Sequence, residues 1–211
     1  MINTEVPRQF VCKPITWGPF LLQMSLEDSI LDGLEQRASE IRNVPEYNAE
    51  RMLAADMHDE WNYTPMHILW FQEQINPYIS LYLDGLSHHI ENHVNPPWEC
   101  DSLWINYQKQ HDYNPLHNHR GDLSFVLYLD VPDELQTEKE RFNMVGNGPI
   151  PGSIMFVHGD SVPPFQDNRK FFLPKRGDFF LFPSSLMHTV VPFRTPDIER
   201  VSVAGNITFI N

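Results

Sequence analysis

Two histidines one residue apart, His117 and His119 in "NPLHNHRGDLSFVLYLDVP", stand directly before a run with the texture of a buried strand. On an extended segment, side chains at i and i+2 point to one face and lie roughly 6–7 Å apart. Both imidazoles can therefore reach one ion while Asn118 faces away. A third candidate, His188, opens a strand about seventy residues later in "FFLFPSSLMHTVVPF". An HxH pair plus a remote His is a three-sided ligand set with open positions on the far side of the metal. Imidazole suits iron, zinc, copper or nickel, and open positions are what oxygen-activating iron requires.

Further on, "ERVSVAGNITFIN" places Arg200 and Ser202 on the same side of a strand. A guanidinium fork recognises a carboxylate by two parallel hydrogen bonds, which Lys cannot reproduce. An Arg on a core-facing strand needs a partner for its charge, and an anionic ligand is one. The competing reading has Arg200 facing outward or paired with Asp178. The remaining histidines carry less weight: His88, His89 and His93 read as surface residues of a helix, and His58, His67 and His111 lack companions.

These groups must be positioned by a chain that changes texture near its middle. In "SLEDSILDGLEQRASEIRN", Ser25 is a candidate N-cap, and Leu26, Ile30, Leu34, Ala38 and Ile41 recur at helical spacing. A shorter helix is expected over 48–57. A third is expected from Thr64-Pro65 to about His93, with Ile68, Phe71, Ile75, Ile79, Tyr82, Leu83, Leu86 and Ile90 on its apolar side and a kink at Pro77. After "NPP" at 95–97, seven or eight short runs rich in β-branched and aromatic residues follow, punctuated by Gly, Pro and Asp. That pattern predicts a sandwich or barrel. The stretch 133–151 reads as an exposed excursion, and no internal repeat or low-complexity tract is present.

Composition bounds the function. At 211 residues one domain is expected, with 1–97 as helical support and 98–211 as a strand-rich core carrying the site. With 41% hydrophobic residues and no apolar run of membrane-spanning length, a soluble protein without a membrane anchor is expected. The start lacks a signal-peptide pattern and two cysteines, Cys12 and Cys100, are too few for a disulfide framework, which predicts a cytoplasmic location. A net charge of −13 argues against a nucleic-acid partner and favours small molecules or basic partners.

With those residues in place, the second half, from about residue 100 to 211, resembles the Fe(II)/2-oxoglutarate-dependent dioxygenases, and specifically their prolyl-hydroxylase-like branch. "HNHRGDLSFVLYL", "GDFFLFPSSLMHTVVPF" and "RVSVAGN" carry the resemblance in the family's order. It implies a mainly β fold with N-terminal helices, a double-stranded β-helix or jelly roll with helices packed outside one sheet. It implies Fe(II) as cofactor, 2-oxoglutarate and O2 as cosubstrates, release of succinate and CO2, and hydroxylation of a protein or peptide side chain or a small metabolite. By the same resemblance His117 and His188 are metal ligands and Arg200 binds the 5-carboxylate of 2-oxoglutarate. Ser202 is a helper hydroxyl, Tyr128 a donor to that carboxylate, and Tyr107 a pocket tyrosine. No catalytic side chain is implied beyond the metal centre.

The chain departs from the family at one place: His119 stands where a carboxylate is usual. Either His119 completes the site, or Asp122 is brought back by an Arg120-Gly121 turn, or the site has drifted to another metal or lost activity; His119 is the favoured ligand. The alternative of another class is a cupin-like metal- or sugar-binding jelly roll without oxygenase activity, which shares the histidines but has no need of Arg200 and Ser202. A zinc hydrolase is disfavoured because no glutamate stands beside the HxH. Substrate contacts are expected from 133–151 and from "HGDSVPPFQDNRK".

Overall fold

A computed structural model describes residues 18–50, 56–145, 148–160 and 167–210. The elements begin with β1 (Leu22–Ser25), α1 (Asp28–Ile41), a single 3-10 turn (Pro45–Tyr47), β2 (Glu60–Asn62) and α2 (Pro65–His89). Then come β3 (Trp98–Gln108), β4 (Asn114–His117), β5 (Leu123–Asp130), α3 (Glu134–Arg141), β6 (Ile154–Val157) and β7 (Arg169–Phe172). The chain closes with β8 (Asp178–Pro183), β9 (Met187–Val190) and β10 (Arg200–Phe209).

The strands form two antiparallel sheets, a six-stranded one in the order β1-β8-β5-β10-β3-β2 and a four-stranded one in the order β4-β9-β6-β7. From β3 onward the chain passes back and forth between the sheets, the winding of a jelly roll. Each long central strand therefore has two buried faces. On β5, seven consecutive residues from Leu123 to Leu129 are buried. Their odd members, Leu123, Phe125, Leu127 and Leu129, meet the helices. Val126 and Tyr128 face inward with Ile154, Phe156, Phe180 and Phe182.

α2 shows why the helices sit outside the six-stranded sheet. Phe71, Ile75, Ile79 and Tyr82 recur at three- and four-residue steps and are fully buried. Phe71 packs on Phe125 with ring centroids 5.5 Å apart, and burying each such side chain is worth roughly 1.5–3 kcal/mol. Thr64 caps the helix by accepting the His67 N–H at 3.2 Å, and Pro65 occupies its first turn. On α1, Leu34, Ala38 and Ile41 are buried as the spacing predicts.

Four local expectations need correction. Ser25 is not the cap of α1, because it ends strand β1 opposite Asp178 and the chain stays extended until Glu27. The described ends of 48–57 are not helical: Asn48 bridges to Trp61 and Asp56 to Tyr113, while 51–55 lie outside the described residues. α2 stops at His89, short of His93. The 133–151 segment is not a bare excursion, since it contains α3, whose Leu135 and Glu138 are buried. The Glu138 carboxylate accepts the backbone N–H of Arg194 at 2.7 Å and the Thr195 hydroxyl at 2.6 Å, so α3 clamps the loop that follows β9.

Two glycines are dictated by geometry. Gly121 adopts φ +91° in the turn between His119 and β5, a region L side chains rarely enter. At Gly205 a Cβ would stand 2.3 Å from the Ser102 carbonyl oxygen, so only glycine lets β10 lie this close to β3.

Candidate metal centre

His117 ends β4 and stands opposite His188 on β9. His119, two residues further, is fixed by its own N–H, which donates to the Ser184 carbonyl at 2.9 Å. The three side chains converge as the HxH spacing predicts: their ligand atoms lie within 4.8 Å of one another. His117 Nδ1 is 2.6 Å from the Pro115 carbonyl and His188 Nδ1 is 2.9 Å from the Leu186 carbonyl. A carbonyl only accepts, so each Nδ1 carries the hydrogen and each Nε2 presents a bare lone pair.

Those lone pairs face each other. The Nε2 atoms of His117 and His119 are 3.1 Å apart, and those of His119 and His188 are 3.3 Å apart. Two imidazoles bound at about 2.1 Å to one ion at a right angle stand about 3.0 Å apart, so the residues fit a shared metal ion. Burial depresses all three imidazoles, His188 to about 3 and His119 to about 4, and repulsion from neighbouring histidines adds to the effect at those two. They are neutral at neutral pH, the form in which histidine binds metal. Phe182 packs against His188 with centroids 4.9 Å apart, and Trp104 lies 5.8 Å from His119.

Asp122 does not join them. Its Oδ2 accepts the Phe209 N–H at 2.7 Å, and its backbone is held between Ile207 and Ser184. The expected outcome is that His119→Ala weakens metal binding far more than Asp122→Ala, as read by iron titration of both variants. A larger loss in the Asp122 variant would transfer the role.

On the inner face of the six-stranded sheet, Arg200 pairs in register with Gln108, and Ser202 with Asn106. Across β5, Ser202 stands opposite Tyr128, with a β-bulge between Val201 and Ser202. Arg200 and Tyr128 are fully buried, and the guanidinium carbon lies 5.1 Å from the tyrosine ring centroid. Arg200 Nη1 donates to the Gly152 carbonyl. Its Nε and the Tyr128 hydroxyl have no hydrogen-bond partner among the described residues. Asp178 forms no ion pair with Arg200 among the described residues; its Oδ2 accepts the Lys175 N–H at 2.8 Å instead. Burial disfavours the guanidinium charge and pushes its pKa down.

Tyr107 is a correction. It pairs with Val201, hence lies on the opposite face from Arg200 and Ser202, because directly opposed residues share a face. It packs in the helix-side core with the Arg42 guanidinium 3.5 Å above its ring. The residues of β3 that do face the interior beside Arg200 and Ser202 are Gln108 and Asn106, which sequence reasoning passed over.

So, too, was Glu60. It pairs with Asn106 and is fully buried, and neither carboxyl oxygen has a hydrogen-bond partner among the described residues. Burial first, then the negative charges of Glu50 and Asp112, raise its pKa to about 8. The folded protein thus keeps a proton that the unfolded chain releases above about 4.5. Stability present at low pH is lost as pH rises toward 8, by at most roughly 4–5 kcal/mol. In Glu60→Gln this loss should vanish. The melting temperature of the variant relative to wild type is expected to climb between about pH 5 and 8 and then level off; a flat difference would refute the burial argument.

Residues 102–206, which hold the three histidines, Arg200, Ser202 and Tyr128, match the 2OG-Fe(II) oxygenase family. No curated protein matches the sequence. The fold is similar to that of a prolyl-4-hydroxylase from Pseudomonas putida, at 14% identity and a TM-score of 0.54 over 90% of this chain and 93% of that one. It is similar to a viral collagen prolyl hydroxylase from Paramecium bursaria Chlorella virus-1, solved as a 2OG complex, at 12% and 0.56 over 92% and 98%. It also resembles HygX from Streptomyces hygroscopicus with nickel, 2-oxoglutarate and hygromycin B bound, at 11% and 0.53 over 89% and 82%. With the jelly roll and the cavity already in view, the family match makes this chain an enzyme of the 2OG-Fe(II) oxygenases, built on a prolyl-hydroxylase-like fold.

Proposed function

We propose that this oxygenase hydroxylates a protein or peptide side chain or a small metabolite, with His117, His119 and His188 holding Fe(II) and Arg200 anchoring 2-oxoglutarate. The observation that carries the reading is the buried Arg200, which lacks a carboxylate partner among the described residues while its Nε and the Tyr128 hydroxyl are left as unpaired donors. Unpaired buried donors of this kind cost about 1–3 kcal/mol each, more when charged. A dicarboxylate reaching into the cavity relieves both.

The residues divide the work. Arg200 binds the 5-carboxylate and fixes the length of the cosubstrate between itself and the histidines. Tyr128 donates its hydroxyl to the same carboxylate. Ser202 Oγ accepts from the Asn106 carboxamide at 3.4 Å, which leaves its own hydrogen free to donate to that carboxylate. Val126, Phe156, Phe180 and Phe182 form an apolar wall that keeps water from the cavity. Iron with 2-oxoglutarate, when bound, supplies oxygen activation coupled to decarboxylation, with succinate and CO2 as products.

The primary substrate divides into two classes. Fold neighbours include a collagen prolyl hydroxylase and a protein solved with hygromycin B bound, so the fold is found with a macromolecular target and with a bound small molecule. The test of the cosubstrate site needs neither. Anaerobic Fe(II) reconstitution with 2-oxoglutarate is expected to give the weak visible charge-transfer band of the chelated complex, and admission of air should release succinate. Fully loaded metal with neither signal would overturn the assignment.

A further inference from the structure

A row of four side chains crosses the inner face of the six-stranded sheet: Glu60 on β2, Asn106 on β3, Ser202 on β10 and Tyr128 on β5, each opposite the next in register. Its two ends have opposite deficits. At the β5 end the Tyr128 hydroxyl and the Nε of Arg200, whose guanidinium carbon lies 5.1 Å from the tyrosine ring, lack an acceptor among the described residues. At the β2 end both Glu60 carboxyl oxygens and Asn106 Oδ1 lack a donor among the described residues. Strands in a sheet lie about 4.8 Å apart, so Glu60 stands about 10 Å from the Ser202 position.

The acceptor end adjoins the metal centre. Trp104, two residues along β3 from Asn106 and on the same face, packs against His119 at 5.8 Å. β2 is one edge of the six-stranded sheet and β4, which carries His117, is one edge of the four-stranded sheet. Described residues before β2 reach both edges: Ala49 N–H donates to the Glu60 carbonyl at 2.9 Å, and Asp56 N–H to the Tyr113 carbonyl at 3.0 Å. Glu60 is therefore on the flank of the sandwich where these two edges lie.

In the free protein Glu60 holds one proton of its own, a single donor for its second oxygen and Asn106 Oδ1 to share; 2-oxoglutarate, which has only acceptors, adds none, whereas a bound cation would displace that proton and serve all three oxygens. The donors must come with the other reactant. We infer that the primary substrate presents a protonated amine or guanidinium group to Glu60, with Asn106 Oδ1 as second acceptor, while its reacting carbon lies toward the histidines. This rests on the oxygenase reading above and names the substrate class for it. Two independent features agree. The field of Glu50 and Asp112 at Glu60 is negative and favours a cation there, and a net charge of −13 draws cationic substrates to the protein as a whole.

The test uses the Fe(II)/2-oxoglutarate-loaded protein without oxygen and four probes: the N-acetyl amides of lysine and arginine, and of their uncharged counterparts norleucine and citrulline. Calorimetry is expected to show at least one cationic probe binding about tenfold or more tighter than its uncharged counterpart. In Glu60→Gln, which mimics the protonated carboxyl and keeps its shape, that preference should shrink to within about threefold, about 0.6 kcal/mol. It should persist in Asp84→Asn, which removes an exposed charge from α2. Equal affinity within the pairs, no binding by any probe, or a preference retained in Glu60→Gln overturns the inference. The visible 2-oxoglutarate band should be unaltered in Glu60→Gln; its absence from wild type would instead refute the cosubstrate assignment.

Discussion

Replacing His117 or His188 by Ala is expected to strip the protein of Fe(II) while leaving it folded. Each ring is pre-set by its own strand, since Nδ1 of either residue is tied to the carbonyl two positions earlier and only Nε2 is left for the ion. Loss of a group that merely orients a ligand typically weakens metal binding 10- to 100-fold, so loss of the ligand itself should cost at least about a hundredfold. The fold should survive because the sheets are held by register pairing and by the aromatic interior, not by the histidines. His188 is the harsher case: it is 6% exposed and packs against Phe182 and Phe156, so its removal leaves a cavity. Iron per protein after desalting, measured beside thermal melts, checks both halves. Stoichiometric iron retained by both variants would sink the site.

Much of this centre was readable in one dimension because it depends on local spacing. The i, i+2 rule puts His117 and His119 together without knowledge of the rest of the fold, and the i, i+2 pair Arg200 and Ser202 follows the same rule. What one strand cannot tell is which of its two faces is the inner one. On β3 the alternation Asn106, Tyr107, Gln108 is buried throughout, so burial and hydrophobicity give no parity. Only the pairing of Arg200 with Gln108 decides it, and it sends Tyr107 to the helix side. Glu60 was illegible for a related reason: β2 is three residues long and its inward residue is charged, the opposite of a strand signal. α3 went unseen because its sequence, ELQTEKER, is polar around most of its circumference and buries only Leu135 and Glu138.

The same inner face makes Arg200 the residue whose replacement should be felt most by the cosubstrate. Arg200→Lys keeps a positive charge but loses the planar fork, and a shorter point charge cannot hold the Gly152 carbonyl and a carboxylate together. Truncating one partner of a buried charge pair commonly costs about 2–5 kcal/mol. The 2-oxoglutarate concentration for half-maximal succinate formation is therefore expected to rise at least about tenfold, equivalent to 1.4 kcal/mol, in Arg200→Lys and further in Arg200→Ala. Stability should move the other way or little. The guanidinium is a buried charge whose pKa is pushed down by desolvation and which has no carboxylate partner among the described residues, so removing it relieves a penalty in the protein without cosubstrate. Fe(II) binding should persist in both variants, because the three histidines make no contact with Arg200 through hydrogen bonds. Uncoupled 2-oxoglutarate decarboxylation, followed as succinate, measures the effect without the primary substrate. An unchanged 2-oxoglutarate dependence in both variants would mean that the unpaired donors of this cavity serve some other anion.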